Sequence, residues 1–294
     1  MLLADAVEGS GVELLRHGNF ENLGFISDSR AEMLTFAEDE HFLEVLHRNR
    51  CISAVITKPD FAGKAADRLA LAVCEHPRLA FAHIHNRLCR AGFYWRDFPT
   101  VVHPDANVHH SAWIAERNVR IGAGTTVGPR ATVLERCEIG EKCVIGAGCI
   151  LGGVGFQTAR TEDVMVEMQH AGSLLLRARV HVLPGAVIAT GLFRQQTDIG
   201  DDVRVGSQAF VSHGVQIGPA TFVGHGSIIN GNVSIGERVW IGPGAVVAQN
   251  LTLAERAIVS LGAVVIRNVP ADTRVSGNFA EPHRALLRRM AARA

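Results

Sequence analysis

From residue 199 to residue 265 an aliphatic side chain stands at every sixth position: Ile199, Val205, Val211, Ile217, Val223, Ile229, Ile235, Ile241, Val247, Leu253, Val259 and Val265. Two residues before each is a small or β-branched residue, from Thr197, Val203 and Ala209 through to Ala257 and Ala263, with Leu251 the bulky exception. A glycine often follows, as in Ile199-Gly200 and Ile217-Gly218. A helix repeats near 3.6 residues and a strand at 2, so a strict sixfold period is neither alone. It predicts a parallel β-helix in which three short strands make one triangular turn. The aliphatic residue fills the narrow interior, and the small residue lets the chain round the corner. Such coils usually turn left-handed.

The repeat begins before residue 199. Val102, Val108 and Ile114 are in phase, and after one extra residue near Asn118 the phase resumes at Ile121, Val127, Val133, Ile139, Ile145 and Leu151. It breaks at residues 152–172, a loop thrown out of the coil with room for its own strand pair, and returns at Leu176, Val182 and Ile188. A shorter insertion, TGLFRQQ at 190–196, precedes the long clean run. Insertions in repeat proteins leave the stack as loops and often build the site, so both are functional candidates. The plainer alternative is a pair of tolerated surface loops.

Residues 1 to about 100 do not follow the period. AEMLTFA, ISAVI and LALAV read as strands, DEHFLEVLHRN as a helix, and PRLAFAHIHNRLC as a helix begun by Pro77. The expected fold is therefore mainly β: a left-handed parallel β-helix with a small N-terminal α/β domain and a short C-terminal helix. Its expected divisions are 1–100, a coil over 101–268 carrying the insertion 152–173, and a closing segment over 269–294. The closing helix carries Arg284, Arg288, Arg289 and Arg293 with an apolar stripe of Leu286, Leu287 and Met290.

Lys+Arg and Asp+Glu both count 29, so no overall charge draws the chain to nucleic acid. The opening carries Asp5 and Glu8 where a signal peptide needs an apolar run, and no stretch approaches the ~18 apolar residues of a membrane span. The expectation is a cytoplasmic protein. Of its cysteines, Cys137, Cys143 and Cys149 fall in the small-residue slot of the repeat and read as buried packing thiols, while Cys51, Cys74 and Cys89 show no ligand spacing. No metal is expected.

Most enzymes built on such coils move acyl groups onto amines or hydroxyls. Transfer to an amine needs a base for the ammonium proton and donors for the tetrahedral oxyanion. Histidine is the natural base near neutral pH, but 14 are present. His213 is set apart by position: it follows Val211 by two residues, at a corner, where a side chain is expected to point outward. Stacking coils 18 residues apart places Gly231 and Gln249 on its edge, and a glycine there leaves a flat track for a pantetheine arm. An ordinary exposed corner histidine is the plainer reading. His225 is also at a corner, but on a different edge. His103, His109 and His110 read as surface residues. A zinc-dependent coil enzyme would need a His-x4-His pair in phase, and none is present.

The whole chain resembles the LpxD-type UDP-3-O-acylglucosamine N-acyltransferases of lipid A synthesis. ELLRHGNFENLGFISDSRAEMLTFAEDEHFLEVL is similar to the family's opening, HPRLAFAHIHNRL to its N-P-Y-x-A-F-A helix, and GGVGFQ to its G-x-D-G-F-G/Y loop. SQAFVSHGVQIG is similar to its N-Q-V-Q-I-A-H-N-V-x-I-G catalytic segment, and VSGNFAEPHR to its S-G-x-P-x-Q-P ending. Carried over, the resemblance makes His213 the base and Gly231 a glycine of the pantetheine track. It makes Phe36 and Phe42 an aromatic pair around a uracil, with Asp39 between them. Ser207 stands where the family has Asn, beside Gln208; Asn250 replaces a second histidine; Gln169-His170 replaces Pro-Gln; and Ala189-Thr190-Gly191 replaces D-R-G.

The resemblance implies N-acyl transfer from a pantetheine thioester on acyl carrier protein to the amine of a UDP-linked amino sugar. Implied substrate-binding residues are Phe36, Asp39, Phe42, His170, Ser207 and Gln208, and donor-binding residues are Gly231, Gln249 and Asn250. No tightly bound cofactor is expected beyond the thioester co-substrate. The altered D-R-G positions and short tail favour an alternative, an acetyl-CoA-dependent N-acetyltransferase on another nucleotide-linked amino sugar. The arginine-rich tail would suit an acidic carrier protein, or form a solvated helix face. A silent scaffold that keeps the nucleotide domain is the third reading, and the retained His213 argues against it. A prism with its base on an outer edge needs a neighbour's wall, so a homotrimer is expected.

Overall fold

The computed structural model describes residues 1–277 with His283, Arg284, Arg288, Ala291 and Ala292, excluding the side chains of Glu40, Leu43 and His47. The expected helical stripe Leu286, Leu287 and Met290, and the tail residues Arg289 and Arg293, lie outside the described residues. The described chain forms two compact units.

The larger unit spans 99–153, 174–189 and 197 onward. It is a stack of two- to four-residue strands in three parallel sheets of eight, nine and eight strands. The first face runs from Val101–Val102 to Thr252–Leu253, the second from Asn107–Val108 to Arg274–Val275, and the third from Trp113–Ile114 to Val264–Val265. This is mainly β architecture consistent with the expected left-handed β-helix. The strand Arg274–Val275 continues the second face past residue 268.

The sixfold pattern is the core. Every aliphatic residue of the series from Ile199 to Val265 is at most 5% exposed, and its small partners Thr197, Ala209, Thr221, Ser227 and Ala245 are buried as well. Cys137, Cys143 and Cys149 are buried in the same interior, and burial pushes their thiols above the ordinary range. At the open end of the stack Val102 is exposed, because no coil lies beneath it.

The corners carry a second sixfold signal, in the backbone. Every sixth residue from Asp202 to Gly262 has φ between 54° and 69°: Asp202, Gln208, Gly214, Ala220, Gly226, Asn232, Arg238, Gly244, Asn250, Arg256 and Gly262. The left-handed conformation costs an ordinary L-residue roughly 1–2 kcal/mol. Asn and Asp tolerate it through local hydrogen bonding, and Gly without penalty. Strain of this kind is often a mark of a functional site. Here it belongs to the turn geometry, since it recurs at every corner.

The smaller unit comprises 1–98, 154–173 and 190–196. Its sheet has β1 (Glu13–Arg16), β2 (Asn22–Leu23), β3 (Met33–Ala37), β4 (Ile52–Thr57) and β5 (Ala70–Val73), in the order β1-β5-β4-β3-β2. Only β1 is antiparallel to its neighbour. The expected strands and helices appear as β3, β4, β5, α2 (Glu40–Arg48) and α3 (Pro77–Arg90), joined by the short α1 (Leu3–Val7). Leu34, Ala54, Ile56 and Ala72 pack with Phe81, Ile84 and Leu88 of α3, while Met33, Ala37, Val55 and Leu71 pack with Leu46 of α2. Alternation along the strands sends these sets to opposite faces.

Both insertions fold with this unit. The longer one forms its own antiparallel pair, Thr158–Arg160 with Met165–Glu167. Ala159, Met168 and Ala171, with Leu192 and Phe193 of the shorter insertion, join the core beneath α3. They are therefore packed parts of a domain rather than loose excursions.

Candidate active site on the coil

His213 lies in the turn between Phe210–Val211 on the third face and Gln216–Ile217 on the first. The turns one and two coils on stack above it: the Asn232 N–H donates to the His213 carbonyl at 2.9 Å, and the Asn250 N–H to the Gly231 carbonyl at 3.0 Å. From the previous coil the Thr197 hydroxyl accepts the Gly214 N–H at 2.9 Å. This stacking follows the 18-residue spacing of the sequence.

Two features differ from the sequence expectation. His213 is only 8% exposed, so its corner does not turn the imidazole outward into solvent. Gly231, itself buried, is not an open track. A Cβ on it would come within 2.6 Å of both Cε1 and Nε2 of His213. The missing side chain makes room for the ring itself, and that seat holds the imidazole against the stack. Gln249 and Asn250, one coil further on, are exposed.

Ser207 and Gln208 lie elsewhere on the prism. Their turn joins the second face to the third, on the same edge as His225. His225 Nδ1 accepts the Ser207 N–H at 2.9 Å, which leaves its Nε2 as the protonated ring nitrogen when neutral. Within one chain, then, His213 shares an edge with Gly231, Gln249 and Asn250, and not with Ser207, Gln208 or His225. Beside the latter edge an apolar recess of about 340 Å³ is lined by Phe222, Trp240, Pro243, Arg204 and His225. Phe222 and Trp240 are about half exposed, with ring centroids 5.3 Å apart.

The smaller unit holds the other sequence-predicted residues except Ala189, which ends a strand of the coil. Phe36 is half-buried on β3, with its ring against Phe25 and Phe81 and the Arg78 guanidinium 5.5 Å from its centre. Phe42, in the first turn of α2, is half-buried against the cluster on the other face. Between them Asp39 caps α2, its Oδ1 accepting the Phe42 N–H at 3.2 Å. The two aromatic rings thus belong to different packing clusters. His170 is buried, and its Nε2 accepts the Gly155 N–H at 3.1 Å. Ala189 and Thr190 are buried, and Gly191 packs backbone to backbone on Gly172, whose N–H donates to the Gly191 carbonyl at 2.9 Å. The glycine of the altered D-R-G positions is required by the Gln195 carbonyl, into which a Cβ on Gly191 would run.

Sequence reasoning did not single out His85 and Asn86 of α3, two polar side chains buried beside the longer insertion. Their signal was present: both stand among the apolar residues Phe81, Ala82, Ile84 and Leu88 of a helix read from the sequence. Among the described residues no group of three or more His, Cys, Asp or Glu is placed to hold a metal ion, and no helix is long and apolar enough to cross a membrane.

Two stretches of the coil match family models. Residues 118–153 match the bacterial transferase hexapeptide (six repeats), and residues 196–230 the hexapeptide repeat of succinyl-transferase. These matches support an acyltransferase of the hexapeptide-repeat type. No curated protein matches the chain. Among solved structures, the chain is similar to the UDP-N-acetylglucosamine acyltransferase from Campylobacter jejuni at 14% identity, over 60% of this chain and 72% of that one, with a TM-score of 0.49. It is similar to the Arabidopsis UDP-N-acetylglucosamine acyltransferase at 20% identity, over 65% and 75%, with a TM-score of 0.46. A third similar structure is a mutant of perosamine N-acetyltransferase from Caulobacter crescentus in complex with CoA and GDP-perosamine, at 16% identity over 83% and 92%, with a TM-score of 0.25.

Proposed function

We propose that the protein transfers an acyl group from a pantetheine thioester to the amine of a nucleotide-linked amino sugar, with His213 as general base. The observation that carries this is the seating of the His213 ring on Gly231. A structural histidine at a corner needs no such seat, whereas a base must hold its nitrogen in one place. The sugar nitrogen attacks the thioester carbonyl and a C–N bond forms. The imidazole takes the ammonium proton; the C–S bond then breaks, and the proton passes to the departing thiolate. A backbone N–H of the coil would meet the oxyanion. The LpxD resemblance makes UDP the nucleotide and acyl carrier protein the donor, and assigns the nucleotide to Phe36, Asp39 and Phe42.

A second reading rests on one observation. Where the resemblance expects an Asp-Arg pair, Ala189 and Thr190 are buried and uncharged. That favours a smaller donor, acetyl-CoA, and another amino sugar.

We also infer a homotrimer. The outward residues of the third face form an apolar ladder in register, Ile150, Val187, Phe210, Ile228, Val246 and Val264. Ile150, Ile228 and Val264 are more than a third exposed. The first face instead shows Asp198, Gln216, Ser234 and Thr252. Contiguous apolar surface of this kind marks a protein contact, and a cyclic threefold arrangement would cover this face on each of three identical subunits.

The test is turnover of acetyl-CoA and of a hydroxyacyl carrier protein against a panel of UDP-linked amino sugars. His213→Ala should lower turnover by about 10²–10⁴-fold, the usual contribution of a general base, with the oligomer intact. Activity within a few-fold of the parent would move the base elsewhere. No turnover with either donor would overturn the reading.

A further inference from the structure

We propose that His85 and Asn86 are positioning residues, a side-chain brace that sets the register of Glu167–His170 and so places His170 for the sugar nucleotide. The proposal rests on the functional reading above for the ligand, but not for the brace.

Asn86 carries the geometry. Its Nδ2 donates to the Glu167 carbonyl at 2.7 Å, and its Oδ1 accepts the Gln169 N–H at 2.9 Å. One amide thus takes the carbonyl of one residue and the N–H of the residue two further on. A strand residue in a parallel ladder makes the same pair of bonds with its backbone. Asn86 therefore acts as a one-residue strand projecting from a helix. Because strand side chains alternate, a one-residue slip of this segment would reverse which side chains face inward. The amide holds the segment in the register in which Met168 and His170 are buried and His170 accepts from Gly155.

His85 holds the other backbone group of Gln169, its carbonyl. Its Nε2 is 2.7 Å from the Gln169 carbonyl oxygen, which can only accept, so Nε2 bears the hydrogen. Nδ1 is then the acceptor, and the Tyr94 hydroxyl donates to it at 2.7 Å. The ring is fully buried, edge-on to Phe193 of the shorter insertion at 5.0 Å. Two adjacent helix residues are thus committed to one insertion segment, Glu167–Gln169, and the tautomer is fixed. Fixed polar pairing of this kind specifies a unique arrangement beyond what apolar burial gives. A loop needing only tolerance would not require it.

The experiment uses the full chain in three variants. Asn86→Leu removes the two-point contact with nearly the same volume. His85→Phe keeps the ring packing and removes both nitrogens. His85→Gln keeps a donor toward the Gln169 carbonyl. Amide exchange in residues 154–173 should quicken by tenfold or more in Asn86→Leu and His85→Phe, with exchange in β3–β5 unchanged. KM for the amino-sugar nucleotide should rise about tenfold while kcat stays within about threefold, and His85→Gln should recover most of the KM. Should Asn86→Leu fail to fold, the His85 pair carries the test alone. Unchanged exchange would overturn the brace. Faster exchange with unchanged KM would overturn the positioning role and leave a purely structural contact. Failure of the functional reading shows separately, as a parent enzyme without turnover, and the exchange comparison then decides the brace.

Discussion

Gly231 lies against the imidazole of His213 so closely that a single added methyl would fall 2.6 Å from Nε2. The contact is eighteen residues away in sequence and one coil away in space. Gly231→Ala must therefore push the ring out of its seat or force the two coils apart. Overpacking of this kind typically costs about 1–3 kcal/mol, and a 1 Å displacement of a reacting group can cost about 10²-fold in rate. The variant should keep its far-UV spectrum, melt a few degrees lower, and lose on the order of 10²-fold in kcat. Parent-like kcat would show that the seat does not serve catalysis.

The repeat made the coil legible because one rule acts on every turn: an aliphatic residue such as Val211 or Ile229 must fill the prism, and its neighbours follow. The same rule located His213, Gly231 and Gln249 on one edge. It could not show that His213 is buried. Which corner side chains fold back depends on the volume left by a residue one coil away, and the period does not encode that. The membership of the insertions was hidden for a similar reason. Ala159, Met168 and Phe193 are few and scattered, and their partners on α3 are far away in sequence. Left-handed corners such as Ala220 and Arg238 are also silent, since the turn imposes the conformation whatever the residue.

Ile228 stands in the middle of the third-face ladder, between Phe210 and Val246. Ile228→Lys adds a charge that a buried subunit contact cannot accommodate, yet it leaves the coil interior untouched because its side chain faces outward. Sedimentation should show dissociation to monomer with the far-UV spectrum preserved, and turnover should fall with the trimer. An intact trimer in Ile228→Lys would exclude this face as the contact. A monomeric, active parent would remove the trimer itself.

Burial lowers the pKa of His85 to about 4 from its ordinary 6.5. Between those values the unfolded chain binds a proton that the folded chain refuses. Stability therefore falls as the pH drops from about 6.5 to about 4 and is unaffected by this group above that window. The full shift corresponds to about 3 kcal/mol, at 1.36 kcal/mol per pKa unit. Urea unfolding at pH 7 and pH 4.5 should show the parent losing roughly 2–3 kcal/mol more than His85→Gln. Equal losses in the two proteins would mean that His85 does not carry the acid sensitivity.

Phe42 and Phe36 give the nucleotide assignment its sharpest test, because the two rings are engaged differently. Phe36 already contacts Phe25 and Phe81, so its removal must disturb the core under α3. Phe42 sits in the first turn of α2, half-buried, and its backbone N–H is held by Asp39 whatever its side chain. Phe42→Ala therefore keeps the cap and takes away the ring. If that ring stacks on a base, its loss should cost about 1 kcal/mol or more of binding, a factor of at least about five in Kd for UDP. Phe42→Tyr should bind like the parent, since stacking survives a hydroxyl at the ring edge. Calorimetry on both variants separates the cases. Loss in Ala with retention in Tyr supports stacking, whereas a folded Phe42→Ala with unchanged UDP affinity would leave Phe42 as a core residue and the smaller unit without its assigned ligand.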